Sequence, residues 1–248
     1  MRLCVVLPAY NEAANIGLIF DGFRTVLADS YNLDLRIILV DDGSADGTPE
    51  KAREAAHGLN LEVLVNERNM GLAETFMRGM MRAAETAKDD GDIIVCMDAD
   101  NSHLPGQVMR LAREIQEGRD VVIVSRYRPG AVVRGVPLLR RFLSCGMSIL
   151  FRAAYPIKGV RDYSCGYRGY RAGFLRKALA SQGDRLFSHE GFACMLAILL
   201  RLHKEGAIFG EIPLVLRYDH KQGASKMNVL RTVFRTFRVL LRERFSRT

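Results

Sequence analysis

The sequence predicts an α/β fold with a mostly parallel, doubly wound sheet. Over residues 1–125 short apolar runs alternate with helical stretches, the pattern that builds βαβ units. Three of those runs break at their carboxyl ends into acidic, hydroxyl-bearing turns. The chain has 248 residues, 48% of them hydrophobic, which is enough for one ordinary core.

The strand candidates are residues 3–8, 35–41, 61–66, 92–98 and 121–125. Each is rich in Val, Ile and Leu, as strands buried on both faces are. Helices are expected to begin near Glu12, Asp46, Gly71 and Pro105. Asp46 before Gly47-Thr48-Pro49 suits a helix start with proline in the first turn. Pro105 after Asn101-Ser-His does the same. Beyond Tyr127 the alternation lapses. Residues 128–137 read as a loop with turn residues at both ends. A helix over 138–155, a short strand within 163–171, helices near 173–180 and 189–203, and an extended segment over 207–218 follow. The last helix runs from about Met227 to Phe245, and the expected division is a catalytic domain over 1–226 and a basic amphipathic helix over 227–248.

That final helix carries Leu230, Val233, Phe234, Phe237, Leu240 and Leu241 at helical spacing, beside Arg231, Arg235, Arg238 and Arg242. An apolar stripe next to an arginine stripe suits an interfacial membrane helix. It equally suits a terminal helix covering the core with its arginines in water. No leader segment is expected, because Arg2 runs straight into a strand pattern. The longest uncharged apolar runs, 142–151 and 191–200, are half the ~20 residues of a membrane span. The five cysteines form no Cys-x-x-Cys pair, so neither a zinc site nor a disulfide framework is expected. Cys4 and Cys96 fall in buried strands, and a reducing cytosol suits the set.

Charge divides sharply. Residues 1–125 hold 12 Lys and Arg against 21 Asp and Glu, a net of −9, whereas residues 126–248 hold 24 against 7, a net of +17. The basic half should meet something anionic.

The chemistry centres on Asp98-Ala99-Asp100, where the 92–98 strand meets its loop. Ligands of open α/β sheets gather outside the carboxyl ends of strands. Two carboxylates one residue apart can share a hard divalent cation, since Mg²⁺ takes one or two carboxylates plus substrate phosphates. Two earlier strand ends keep this one company: Pro8-Ala-Tyr-Asn-Glu12, and Asp41-Asp-Gly-Ser-Ala-Asp46.

Together these segments resemble the family-2 glycosyltransferases of the GT-A, Rossmann-like fold. The resemblance continues through Asn69-Met-Gly-Leu72, Ser125-Arg-Tyr127, Asp162-Tyr-Ser-Cys-Gly-Tyr-Arg168 and Gly223-Ala-Ser-Lys226. In order and spacing it is similar to the polyprenyl-phosphate (dolichol-phosphate) sugar synthase branch. It implies that Pro8, Tyr10, Glu12, Val40 and Asp42 hold the nucleotide, with Asp98, Ala99, Asp100, Arg126 and Lys226 on the nucleotide sugar. Asp98 and Asp100 would hold Mg²⁺ or Mn²⁺ on the diphosphate, Asp100 being the firmer ligand. Asp41 would brace its loop, and Asp46 would cap a helix. Many relatives place Gln two residues beyond the second Asp; Ser102 stands here, which leaves a third protein ligand unassigned. Arg168 would belong to the acceptor side, and Asp162 would orient a neighbouring base or arginine. Where lipid-phosphate members carry Arg six residues before the Ser-Lys lysine, this chain has His220 with Lys221 beside it, and the charge is assigned to Lys221.

The resemblance implies an inverting transfer of a hexose, mannose or glucose, from a GDP- or UDP-sugar to polyprenyl phosphate. The place expected is the inner face of the cell membrane, by peripheral contact and with no nucleic acid partner. Whether a separate membrane protein takes part stays open. A hydroxyl acceptor would need a general base, and Glu190 is the second-half acid in a suggestive place. A nucleotidyltransferase would want a glycine-rich loop after the first strand. A basic nucleic-acid-binding module leaves the acidic strand ends without a purpose.

Overall fold

The computed structural model describes residues 1–187 and 193–220. The expected helix over 227–248, Glu190, Lys221 and Lys226 lie outside the described residues.

Residues 1–125 alternate as the hydrophobic pattern predicts. The order is β1 (Arg2–Ala9), α1 (Ala13–Ala28), β2 (Asp34–Asp41), α2 (Thr48–Ala55), β3 (Asn60–Val65), α3 (Leu72–Thr86), β4 (Ile93–Cys96), α4 (Gln107–Gln116) and β5 (Val121–Ser125). Then come β6 (Val132–Arg134), α5 (Leu138–Ala154), β7 (Arg168–Arg171), α6 (Ala172–Gln182), α7 (Ala193–Lys204), β8 (Phe209–Pro213) and β9 (Val215–Arg217). Seven strands form one sheet in the order β3-β2-β1-β4-β7-β5-β8. All neighbours are parallel except β7, which runs antiparallel to both β4 and β5. The segment 128–137, expected as a loop, carries β6, which pairs in parallel with β9 as a separate two-stranded sheet.

Helices cover both faces, so the central strands are almost wholly apolar: Leu3 to Leu7, Ile37 to Val40, Ile93 to Met97 and Val121 to Val124 are all buried. Gly79 shows how closely α3 lies on this layer. A Cβ there would stand 2.4 Å from a Val6 methyl and 2.9 Å from a Val40 methyl, so any side chain would lift the helix from β1 and β2.

The strand order sets the place of the site. The chain proceeds from β1 to β2 to β3 in one direction and then crosses to β4 on the other side of β1. The crevice outside the carboxyl ends of β1 and β4 is therefore the topological switch point, where open α/β sheets bind ligands. It is flanked by Tyr10 to Glu12 on one side and Asp98 to Asp100 on the other. The carboxyl end of β5 and the loop entering antiparallel β7 open at the same edge.

Candidate active site

The loops after β1 and β2 are tied into one unit by side chains. Ser44 Oγ accepts the Asn11 N–H at 2.8 Å, and Asn11 Oδ1 accepts the Ala45 N–H at 2.9 Å. Asp41 accepts from both the N–H and the hydroxyl of Ser44, so it braces its own loop. Asp46 accepts the Ala13 N–H at the start of α1 and the Thr48 N–H and hydroxyl at the start of α2. It thus satisfies orphan donors of two helix starts at once. Burial pushes its carboxyl up, but the bonds from Thr48 and Ala13 outweigh that and hold it below the usual range. Between them Gly43 adopts φ +69°, and a Cβ there would lie 2.6 Å from the Arg68 backbone. Only glycine meets both conditions.

Tyr10, partly exposed, and Glu12 stand at the rim of the switch-point crevice. Asn15 donates to Glu12 Oε2 at 2.7 Å, and the Glu12 N–H is bound by Thr48 Oγ1. Pro8 and the buried Ala99 sit at the carboxyl ends of β1 and β4. Two positions that the resemblance gives to the nucleotide base are disposed otherwise. Val40 is fully buried with a methyl facing the Gly79 position of α3, so its side chain belongs to the core and not to the crevice surface. Asp42 is buried, and its two oxygens accept from Asn66 Nδ2 at 3.0 Å, the Met70 N–H at 2.8 Å and the Gly71 N–H at 2.9 Å. Its carboxylate holds the 66–71 loop to the sheet edge.

Asp98 and Asp100 occupy the turn after β4. Asn101 takes φ +59°, a conformation asparagine tolerates better than most residues, and it turns the chain so that Ser102 folds back. The Ser102 N–H and hydroxyl both donate to Asp100 Oδ1, at 3.1 and 2.5 Å. Ser102 therefore orients Asp100. The Asp98 N–H donates to His103 Nδ1 at 3.2 Å, so in this bond Nδ1 carries no proton. The buried His103 ring lies against Tyr167, centroids 4.9 Å apart. On its far side the turn is clamped by β9: the Arg217 N–H binds the Ser102 carbonyl at 2.9 Å, and His103 bridges Leu216. Because β9 also pairs with β6, the acidic turn and the 132–134 segment share one strand.

These donors fit a hard divalent cation held jointly with a ligand. Both acids are oxygen donors one residue apart. Among the described residues there is no group of three or more His, Cys, Asp and Glu able to enclose a metal. Mg²⁺ usually completes its shell with water and substrate phosphate rather than a protein cage.

Arg126 begins the loop after β5 and meets the motif that opens at Asp162. Asp162 is fully buried, and Arg126 has a side-chain exposure of 25%. Arg126 Nε donates to Asp162 Oδ2 at 2.8 Å and Nη2 to Oδ1 at 2.7 Å, a two-pronged pair. The Arg126 N–H adds a third bond at 3.0 Å, and the Cys165 N–H a fourth at 3.1 Å. Nη2 also reaches Ser164 Oγ at 2.7 Å. Among the described residues Nη1 has no hydrogen-bond partner, and the guanidinium carbon lies 5.5 Å from the Tyr127 ring centre. Burial disfavours both charges, but each ion favours the other: Arg126 is raised above its ordinary range and Asp162 is held below its own. Gly166 brings this loop beside the acidic turn, since a Cβ there would lie 3.7 Å from Asp98 Oδ1.

Arg168, which the resemblance gives to the acceptor side, is placed otherwise. It is fully buried in β7 between β4 and β5. Its Nε, Nη1 and Nη2 donate to the carbonyls of Cys165, Met195 and Tyr163 at 2.7, 2.8 and 2.9 Å. It anchors the 163–165 loop from behind and meets no solvent. Glu211 was not expected near the site, although a lone acid in the extended apolar stretch 207–216 was a visible signal. It is buried, and Oε1 accepts the N–H groups of Arg161 and Asp162.

Comparison with known proteins agrees with this architecture. Residues 4–179 match the family model described as Glycosyl transferase family 2. A dolichol-phosphate mannosyltransferase of Pyrococcus furiosus is 33% identical over 81% of this chain. The chain spans about half of that relative's length, 53%. A polyprenol monophosphomannose synthase of Mycolicibacterium smegmatis is 31% identical over 99% of this chain and 89% of its own. An undecaprenyl-phosphate mannosyltransferase of Micrococcus luteus is 31% identical over 92% and 88%. Among solved structures, glucosyl-3-phosphoglycerate synthase from Mycobacterium tuberculosis, in complex with Mn²⁺, UDP and phosphoglyceric acid, superimposes with a TM-score of 0.70. That likeness covers 100% of this chain and 80% of the other at 19% identity, and it extends to the fold.

Proposed function

This chain belongs to glycosyl transferase family 2, and from that premise we propose that it transfers a hexose, mannose in the first instance, from a nucleotide sugar to polyprenyl phosphate with inversion at the anomeric carbon. One observation carries the reading: the loop whose buried Asp162 fixes the Arg126 guanidinium passes beside the carboxylate turn at the switch point, a Cβ at Gly166 lying 3.7 Å from Asp98 Oδ1. Anionic groups on donor and acceptor are what such a cleft would recognise.

Tyr10 and Glu12 border the nucleotide end of the crevice. Asp98 and Asp100 lie where the diphosphate would sit. They would hold a divalent cation, which would supply Lewis-acid stabilisation of the leaving group. Arg126 offers Nη1 to a phosphate, and its pairing with Asp162 limits the freedom lost on binding. A phosphomonoester is mostly ionised at neutral pH, its second pKa being about 6. It attacks the anomeric carbon through an oxygen that has no proton to lose. A hydroxyl acceptor would need a base, yet Asp162 and Glu211 beside this part of the cleft are buried and already accept backbone N–H groups. That engagement favours the phosphate acceptor.

Among the described residues no helix is long and apolar enough to cross a membrane. The face of α5 supports peripheral contact instead. Leu138 is 69% exposed, Phe142 74% and Ile149 54%, and with Cys145 they recur at 4, 3 and 4 residues along one stripe. Arg141 and Arg152 are exposed on the same helix. Its other face is tied to the site, since Ser144 Oγ lies 2.8 Å from Tyr127 Oη and the Ser148 hydroxyl donates to the Arg161 carbonyl. An apolar stripe with flanking arginines suits the headgroup boundary of an anionic leaflet, which would bring the lipid acceptor to the cleft.

The test is transfer from GDP-mannose, UDP-glucose and their congeners to undecaprenyl phosphate in anionic vesicles, followed by mass spectrometry. Product with one donor, its loss in excess chelator, and its loss in a folded Asp100→Ala variant are expected. Undiminished product in chelator or in that variant removes the metal role. No product with any donor removes the reaction.

A further inference from the structure

Glu211 is the acid of β8, and the chemistry above gives it no part. It is 5% exposed. Oε1 takes two consecutive backbone N–H groups, from Arg161 at 2.6 Å and Asp162 at 2.7 Å. The turn that carries those groups leans directly on β8: at Gly159 a Cβ would lie 2.9 Å from the Phe209 carbonyl oxygen. Burial raises the Glu211 carboxyl above its usual range, with the Arg161 and Asp162 bonds pulling the other way. A buried acid is costly to the fold. An apolar residue would fill the same space, so its bonds should account for its presence.

Those bonds lead to the cleft in two steps. Two N–H groups converging on one oxygen set the orientation of the peptide that enters Asp162. The Asp162 carboxylate must lie coplanar with a guanidinium to receive Nε and Nη2 together, while also accepting the Arg126 and Cys165 N–H groups. A turn of that peptide would swing the carboxylate out of the plane and release the guanidinium. Charge-assisted bonds hold such a geometry more firmly than neutral ones. We propose that Glu211 is a positioning residue for Arg126: by fixing the 161–162 backbone it aims the Asp162 carboxylate, which sets the guanidinium edge presented to a phosphate-bearing ligand. This rests on the reading of Arg126 as the anion-facing cation of the cleft.

The experiment compares Glu211→Gln, Glu211→Ala, Arg126→Lys and the double variant E211Q/R126K. Lysine cannot form the two-pronged pair, so in the Arg126→Lys background the path from Glu211 has nothing left to aim. Glu211→Gln should lower kcat/KM for transfer about tenfold in the natural background and less than twofold beside Arg126→Lys, the non-additivity of residues acting through one another. Equal losses in both backgrounds would make Glu211 a support of loop stability only, and overturn the proposal. A second readout needs no turnover: the ¹⁵N–¹H signal of Arg126 Nε, assigned by its absence in Arg126→Lys. It should exchange slowly with water in the natural protein and at least tenfold faster in Glu211→Gln. An unchanged exchange rate also overturns the proposal. If Glu211→Ala does not fold, Glu211→Gln carries both measurements. Absence of transfer by the natural protein would sink the reaction proposed above, while the exchange rate would still decide the role of Glu211.

Discussion

Replacing Asp162 by Asn tests the ion pair on which the basic wall of the cleft depends. Asn keeps one acceptor oxygen but puts an NH₂ group against the guanidinium, donor facing donor. Bonds from Arg126 Nε and Nη2 compete for the remaining oxygen with those from the Arg126 and Cys165 N–H groups. Breaking a buried pair by removing one partner costs about 3–5 kcal/mol, because the other charge stays buried. Arg126 is a quarter exposed, and water can take up part of its charge, so the lower end applies: about 3 kcal/mol. At about 2–4 °C per kcal/mol for a chain of this size, Tm should fall by roughly 6–12 °C. With a urea m-value of about 2–3 kcal/mol/M, the midpoint should fall by about 1 M. The pH dependence has a definite sign. Asp162 is held below its ordinary 3.8 in the folded protein. Its contribution is therefore fully present above that value and is lost as pH falls through the lower, folded one. The stability gap between the natural protein and Asp162→Asn should be constant from pH 7 to 5 and narrow only as the pH falls below about 4. Urea titrations followed by circular dichroism measure it. A gap under 1 kcal/mol at pH 7, or one that closes between pH 7 and 5, would refute the assignment of a buried, ionised pair.

Two further outcomes follow from the same geometry. Changing Leu138, Phe142 and Ile149 of α5 together to Ser should release the protein from anionic vesicles in co-sedimentation, with Tm changed by less than about 2 °C because exposed side chains contribute little to the fold. Retained binding would shift the contact to the arginine stripe at 231–242, where a fourfold change to Glu tests it. Gly43→Ala should destabilise by about 1–3 kcal/mol, since it both strains a positive φ and drives a methyl into the Arg68 backbone; an unchanged urea midpoint would mean that the 41–46 loop refolds around it.

The ends of β1, β2 and β4 were legible in the sequence because each is an apolar run that soon gives way to an acid or an Asn-Glu pair. That pattern marks both the buried strand and its solvent-facing exit. The direction of β7 was not legible. A four-residue strand containing two arginines gives no sign that it will lie antiparallel in the middle of a sheet. For the same reason Arg168 reads as a cleft residue, since arginine is almost never fully buried unless paired. Its partners are three carbonyls supplied by the preceding loop and by α7, and the α7 carbonyl lies 27 residues away. The pairing of Arg126 with Asp162 spans 36 residues, and only the insertion of β7 between β4 and β5 brings the two together.

Asp41 and Asp42 separate what sequence can and cannot assign. Adjacent residues at a strand end point to opposite sides, so one of two neighbouring acids is expected to face the ligand and the other the loop. In the structure both face protein: Asp41 the Ser44 turn, Asp42 the 66–71 loop. The reason lies in Asn66, Met70 and Gly71, whose donors converge on Asp42. Four segments at this edge need closing, and each is closed by an acid: Asp41, Asp42, Asp46 and Asp162. Part of the acidic surplus of the first half thus holds loop backbone in place at the edge where Asp98 and Asp100 stand. A carboxylate that accepts two or three N–H groups orders a loop without occupying the crevice. These acids thus close the loops of the edge, and the loop that Asp162 holds brings Arg126 to the same edge.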